Sequence, residues 1–224
     1  MKFSGLQKTS LVDFPNRVAS VLFTPGCNLR CPYCHNWRIV VDPKPPFLNE
    51  ENALSMLETR KKYVDAVVIT GGEPTLHKEL PKFLKKLKEK GFAVKLDTNG
   101  FFPQVLEECL PYVDYVAVDV KTALEKYGRL GARSTADFLQ TLAMLKMGKV
   151  EYEFRTTVVP GFVDIEDIAR IGELVKGAKI LAIQQFVPGD TLDRNSTIKP
   201  YTSEILVKFA ESMRNYAESM VLRI

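Results

Sequence analysis

The 224 residues are 46% hydrophobic and 26% charged, a balance that excludes wholesale disorder and fibrous repeats and can bury roughly 70–75% of the unfolded surface. The net charge of +4 is too small to argue for a nucleic-acid partner, and no aromatic side chains interleave with basic ones as a nucleic-acid groove requires. The apolar runs fall far short of the roughly 20 residues of a membrane-spanning helix, and the four cysteines are not spread as in a disulfide-stapled secreted chain. The expected setting is a reducing cytoplasm.

Strand-like and helix-like segments then alternate along the chain. Residues 18–24 form an apolar, β-branched run stopped by Pro25 and Gly26. Asn49 can cap a helix reaching about residue 62, with Ala53, Leu54 and Leu57 facing inward. Residues 64–70 read as the next strand, and Leu80, Phe83, Leu84 and Leu87 recur at helical spacing before Gly91. A strand over 93–97, a helix over 103–110, a strand over 115–120 and a helix over 134–146 follow. Strands over 151–159 and 180–187 flank a helix over 165–175, and a helix over 202–217 precedes a short strand over 220–224. Six strand–helix pairs imply a parallel α/β sheet, either an incomplete barrel or an open doubly wound sheet.

In parallel α/β folds the chemistry sits at the carboxyl ends of the strands. Polar motifs recur there: residues 25–34, Gly71-Gly72-Glu73-Pro74, Asp97-Thr98-Asn99-Gly100 and Asp119-Val120-Lys121. A carboxylate ending an apolar strand is costly unless paired or coordinated, so Asp97 and Asp119 are either site residues or helix caps.

Cys27, Cys31 and Cys34 are separated by three and then two residues. Three thiolates so close can converge on one metal centre. Zinc usually takes four protein ligands as two pairs; here His35 is awkwardly adjacent and Cys109 falls on a distant helix. Iron–sulfur clusters also take thiolates, and three ligands around a four-iron cluster leave one iron open. Cys109 reads as a small core residue. The segment 78–90 carries six lysines and two glutamates, a solvated face or a docking surface for an acidic electron donor.

The spacing Cys27-x3-Cys31-x2-Cys34, with Tyr33 before the third cysteine, resembles the signature of the radical S-adenosylmethionine enzymes. Residues 5–15, 23–36, 70–76, 96–100 and 119–121 extend the likeness to the glycyl-radical-enzyme activating branch, and the N-terminal stretch and Cys34-His35-Asn36 favour its single-domain type that activates anaerobic ribonucleoside-triphosphate reductase. The resemblance implies an incomplete parallel (β/α)6 barrel in one domain. Residues 1–17 would form an N-terminal extension, 18–200 the barrel core and 201–224 a C-terminal helix and tail.

The same resemblance implies one 4Fe-4S cluster on Cys27, Cys31 and Cys34, with S-adenosylmethionine on the open iron. Reductive cleavage to a 5′-deoxyadenosyl radical would then abstract hydrogen from a glycine of a partner enzyme, with an electron from flavodoxin or ferredoxin. Gly71, Gly72 and Glu73 match the segment holding the methionyl amino group, where a carboxylate complements an ammonium. Tyr33 and His35 match adenine contacts. Asp119, Val120 and Lys121 match the ribose and carboxylate side, and Asp97, Thr98 and Asp119 resemble a small-cation site. Arg155, on an otherwise apolar strand, would reach the cofactor or the target peptide, or form a buried pair.

Two absences refine this. The pyruvate formate-lyase activases place a histidine near the ribose after strand six, where this chain has Gln184 and Gln185; either glutamine could take over the polar contact, Gln185 being the one assigned to the site, and the mismatch argues against that branch. No cysteine lies between Cys34 and Gly71, unlike the activases with extra clusters. The competing readings are a radical enzyme acting on a small molecule, as the 7-carboxy-7-deazaguanine synthases do, and a zinc-binding interaction module.

Overall fold

Apolar strands covered on their outer face by amphipathic helices curl into an incomplete barrel in the computed structural model, which describes residues 1–148, 150–195 and 197–224. The elements in chain order are β1 (Lys2–Phe3), β2 (Gly5–Ser10), β3 (Ala19–Thr24), α1 (Trp37–Val41), β4 (Leu48–Asn49), α2 (Glu50–Arg60), β5 (Ala66–Gly71), α3 (Leu80–Glu89) and β6 (Ala93–Thr98). They continue with α4 (Pro103–Cys109), β7 (Tyr115–Asp119), α5 (Ala136–Lys146), β8 (Glu151–Val158), α6 (Ile165–Val175), β9 (Ala178–Gln185), α7 (Ser203–Met213) and β10 (Ala217–Arg223).

The main sheet runs β10-β9-β8-β7-β6-β5-β3-β2. All neighbours are parallel except β2, which lies antiparallel to β3. The expected six-unit parallel barrel is present, with an extra strand on each edge. The segments read as extension and tail therefore contribute β2 and β10 to the same sheet. A small β1–β4 ribbon stands apart.

Local chemistry accounts for the elements. Asn49 Oδ1 accepts from the Asn52 N–H at 2.8 Å and so caps α2. Helix α3 buries Leu80, Phe83, Leu84 and Leu87 and turns its lysines outward, where Lys86, Lys88 and Lys90 pair with Glu50, Asp114 and Glu58. That is the solvated-face reading of this segment. Cys109 is fully buried at the end of α4, as a core residue.

Alternation along the strands sorts their side chains onto two faces. Leu22, Val67, Ile69, Leu96, Val116 and Val118 join the large core shared with the helices. Ala19, Val21, Ala66, Val68 and Tyr115 form a second cluster with Phe14, from the turn that follows β2. That turn lies at the amino ends of the parallel strands, because β2 runs opposite to β3, and it closes the lower end of the barrel.

Candidate active site

A cavity of about 470 Å³ opens at the carboxyl ends of the strands, within the size range of small-molecule sites. Its wall brings together Cys27, Cys31, Cys34, Tyr33, His35, Gly71, Gly72, Glu73, Asp97, Thr98, Asp119, Lys121, Arg155 and Gln185. Every site residue expected from the sequence is there except Val120. Val120 is 0% exposed and belongs to the outer core, because alternation sends Asp119 and Lys121 inward and the residue between them outward.

The three thiols share one wall. Burial pushes Cys27 up to about 11, with nearby Glu73 adding to the effect. Burial also raises Cys31 and Cys34, and the Lys121 ammonium opposes it at both. Lys121 is not a solvated loop lysine. Burial works against its charge, but Asp119 and the thiols around it hold the ammonium well above its ordinary range. Among the described residues no three His, Cys, Asp or Glu side chains are gathered tightly enough for a single ion.

The two glycines are packed tightly against the cysteine loop. A Cβ on Gly72 would lie 1.8 Å from the Gly26 carbonyl oxygen, and one on Gly71, at φ +112°, 2.5 Å from the Thr24 nitrogen. Their close approach is to the cysteine loop. The Gly72 and Glu73 N–H groups donate to Thr24 O at 2.9 Å and Gly26 O at 2.8 Å, and Asn36 Nδ2 donates to Gly71 O at 2.9 Å.

Glu73 is 1% exposed, and its carboxylate already accepts four protein hydrogen bonds. The donors are the Thr75 N–H and hydroxyl, the Thr98 hydroxyl at 2.7 Å and the Asn99 N–H at 2.7 Å. Burial raises its pKa, and these bonds oppose that rise. An ammonium would meet only the acceptor capacity that remains.

At the expected small-cation site Arg155 bridges the two carboxylates, with Nε donating to Asp119 Oδ1 at 2.6 Å and its terminal nitrogens to Asp97 Oδ2 at 3.3 and 3.4 Å. Lys95 contacts the other oxygen of Asp97, and Thr98 is turned to Glu73. Burial would raise the Asp119 pKa, but Arg155 and Lys121 hold it well below the carboxylate range. The β7–β8 register sets Asp119 opposite Arg155, which makes the buried-pair reading of Arg155 the observed one.

The segment after β9 folds back over the cysteine loop. Leu192 and Asp193 N–H groups donate to Cys34 O at 3.2 Å and Pro32 O at 2.8 Å, and His35 Nε2 lies 3.0 Å from Val187 O. Trp37 Nε1 donates to Asp190 Oδ1 at 3.2 Å, and Arg38 pairs with Asp190 at 2.5 Å. Sequence reasoning saw only a missing histidine here. It also missed Asn99, although that residue stands inside a quoted motif.

The donor set fits a thiolate-bound cluster carrying a polar cofactor. Three thiols stand at one end, and Gln184, on the strand face that carries Arg155, has its Oε1 buried with no hydrogen-bond partner; Gln185, one residue on, shares the face of Val158 and donates its Nε2 to Tyr201 O at 3.0 Å. A buried acceptor left unmet calls for a partner, and at Gln184 the cavity supplies room for one.

Residues 21–175 match the radical SAM superfamily model. The chain belongs to that superfamily. A protein of Methanocaldococcus jannaschii assigned as a glycyl-radical enzyme activating enzyme is 38% identical over 98% of this chain and 95% of its own length. The pyruvate formate-lyase-activating enzyme of Clostridium pasteurianum is 31% identical over 87% of this chain and 84% of its own. The radical SAM chain thus groups with the glycyl-radical-enzyme activating enzymes, whose cofactors are a 4Fe-4S cluster and S-adenosylmethionine, and the zinc-module reading falls.

The pyruvate formate-lyase branch, which the missing histidine argued against, is among its relatives. The solved structure of QueE from Escherichia coli superposes with a TM-score of 0.64 at 19% identity, over 99% of this chain and 93% of that one, a likeness of fold. Among the described residues no helix is long and apolar enough to cross a membrane.

Proposed function

We propose that this enzyme installs a glycyl radical in anaerobic ribonucleoside-triphosphate reductase, in the cytoplasm, with an electron from flavodoxin or ferredoxin. The observation that carries the reading is the wall of three thiols in a cavity whose mouth is rimmed by exposed His35 and Val187, accessible to a peptide loop. The lack of a second cysteine group after Cys34 and the Gln184–Gln185 pair in place of a histidine support the reductase as partner.

Cys27, Cys31 and Cys34 would hold the cluster, which with S-adenosylmethionine would supply the hydrogen-abstracting radical chemistry. The protein's own residues bind and orient. Lys121 offers an ammonium to a carboxylate, Gln184 offers a carbonyl oxygen to a hydroxyl or amino donor, and the segment after β9 holds the cysteine loop through Leu192 and Asp193. No side chain need act as a general acid or base. Incubation of the reconstituted enzyme with its reductase, reductant and S-adenosylmethionine should give a glycyl doublet in electron paramagnetic resonance. Cofactor cleavage without that doublet would instead assign a small-molecule substrate.

A further inference from the structure

Asn99 follows β6 directly and is 4% exposed. Its backbone N–H donates to Glu73 Oε2 at 2.7 Å, and its Oδ1 accepts from the Phe101 N–H at 3.2 Å. Its Nδ2 donates to Asn28 Oδ1 at 2.7 Å and to Cys27 Sγ at 3.6 Å. The Leu29 N–H, 3.4 Å away, is a second donor to the same sulfur. One buried residue, through its side chain and its backbone N–H, therefore ties the first cysteine to the Glu73 loop, whose backbone is itself bonded to the cysteine loop at Gly26.

We propose that Asn99 is a positioning residue for the cluster, holding Cys27 Sγ in register with the Glu73 loop and raising the cluster's reduction potential through an N–H···S hydrogen bond. A donor aimed at a ligand sulfur stabilises negative charge there. The reduced cluster carries one more electron than the oxidised one, so it gains more, and the potential rises. The effect is strong in a buried setting, where the local dielectric is low. The proposal rests on the cofactor assignment and is independent of the partner's identity.

Asn99 could instead serve only to shape the turn, through the bond from the Phe101 N–H. Two substitutions separate these roles. Asn99→Asp keeps an oxygen for that N–H and loses the donor to sulfur, whereas Asn99→Ala loses both without adding charge. Asn28→Ala removes the amide's other partner, together with the 3.7 Å contact in which the Cys27 thiol donates to Asn28 Oδ1 and which a cluster-bound thiolate could not make, and leaves the Asn99 donor to Cys27 in place.

The experiment is redox titration of the reconstituted full-length chain, followed by electron paramagnetic resonance, with iron content measured on the same samples. Asn99→Asp and Asn99→Ala should retain iron and shift the midpoint potential downward, and Asn28→Ala should keep the native potential. A native potential in both Asn99 variants, an equal fall in Asn28→Ala, or loss of iron from both Asn99 variants would overturn the proposal. Failure of the native chain to take up iron would overturn the cofactor assignment together with it.

Discussion

The two ends of the barrel lumen are built on opposite terms. At the lower end, Phe14, Ala19, Val21, Ala66, Val68 and Tyr115 fill the space with apolar surface. Just above them Glu153 pairs with Arg223 and accepts from the Tyr115 hydroxyl. At the upper end stand three free thiols and the Gln184 carbonyl, whose oxygen is buried without a partner. The Asp97–Arg155–Asp119–Lys121 network lies at the boundary, and Arg155 lines both the upper cavity and a smaller one of about 170 Å³ below it. Groups that satisfy one another hold the fold; groups left open bind.

The comparison breaks most sharply at the cysteines. Cys31→Ala should abolish cluster uptake, measured as iron per chain after anaerobic reconstitution, whereas Cys109→Ala should bind iron normally and lose only about 1 kcal/mol of stability. Arg155→Ala removes the partner shared by Asp97 and Asp119, each of which keeps a lysine, and should cost about 3 kcal/mol in denaturant unfolding; because Arg155 lines both cavities, binding of S-adenosylmethionine should weaken as well. Phe14→Ala, confined to the lower end, should cost about 3 kcal/mol and leave cofactor affinity at the native value. Stability loss with weakened binding in that variant would mean that the two ends are not separate.

Acid gives the smallest effect. Asp119 is held below its unfolded value by Arg155 and Lys121, so its contribution is present above the unfolded pKa of roughly 3.9 and is lost as pH falls below it. Unfolding free energy should drop by about 1 kcal/mol from this group between pH 5 and pH 3, and the drop should be shallower by that amount in Asp119→Asn.

Much of this architecture was legible before the structure. The apolar strands and periodic helices marked six units, Asn49 announced its cap, and the cysteine spacing located the site. Strand β2 escaped because Gly5–Ser10 is a mostly polar edge strand with Gln7, Lys8 and Thr9 exposed, which leaves no apolar alternation to read. Val120 was misplaced although strand periodicity forbade it. The bridge of Arg155 to two carboxylates depends on β6–β7–β8 register, and the donor from Asn99 to Cys27 spans 72 residues; neither leaves a local trace in sequence.

The central claim is that three cysteines hold a cluster and leave one coordination position for the cofactor. Electron paramagnetic resonance of the reduced, reconstituted chain with and without S-adenosylmethionine tests it most directly. A change in the cluster spectrum on addition of the cofactor is the predicted result. An unchanged spectrum, with the cofactor shown to be bound, would place a fourth protein ligand on the cluster and contradict the account.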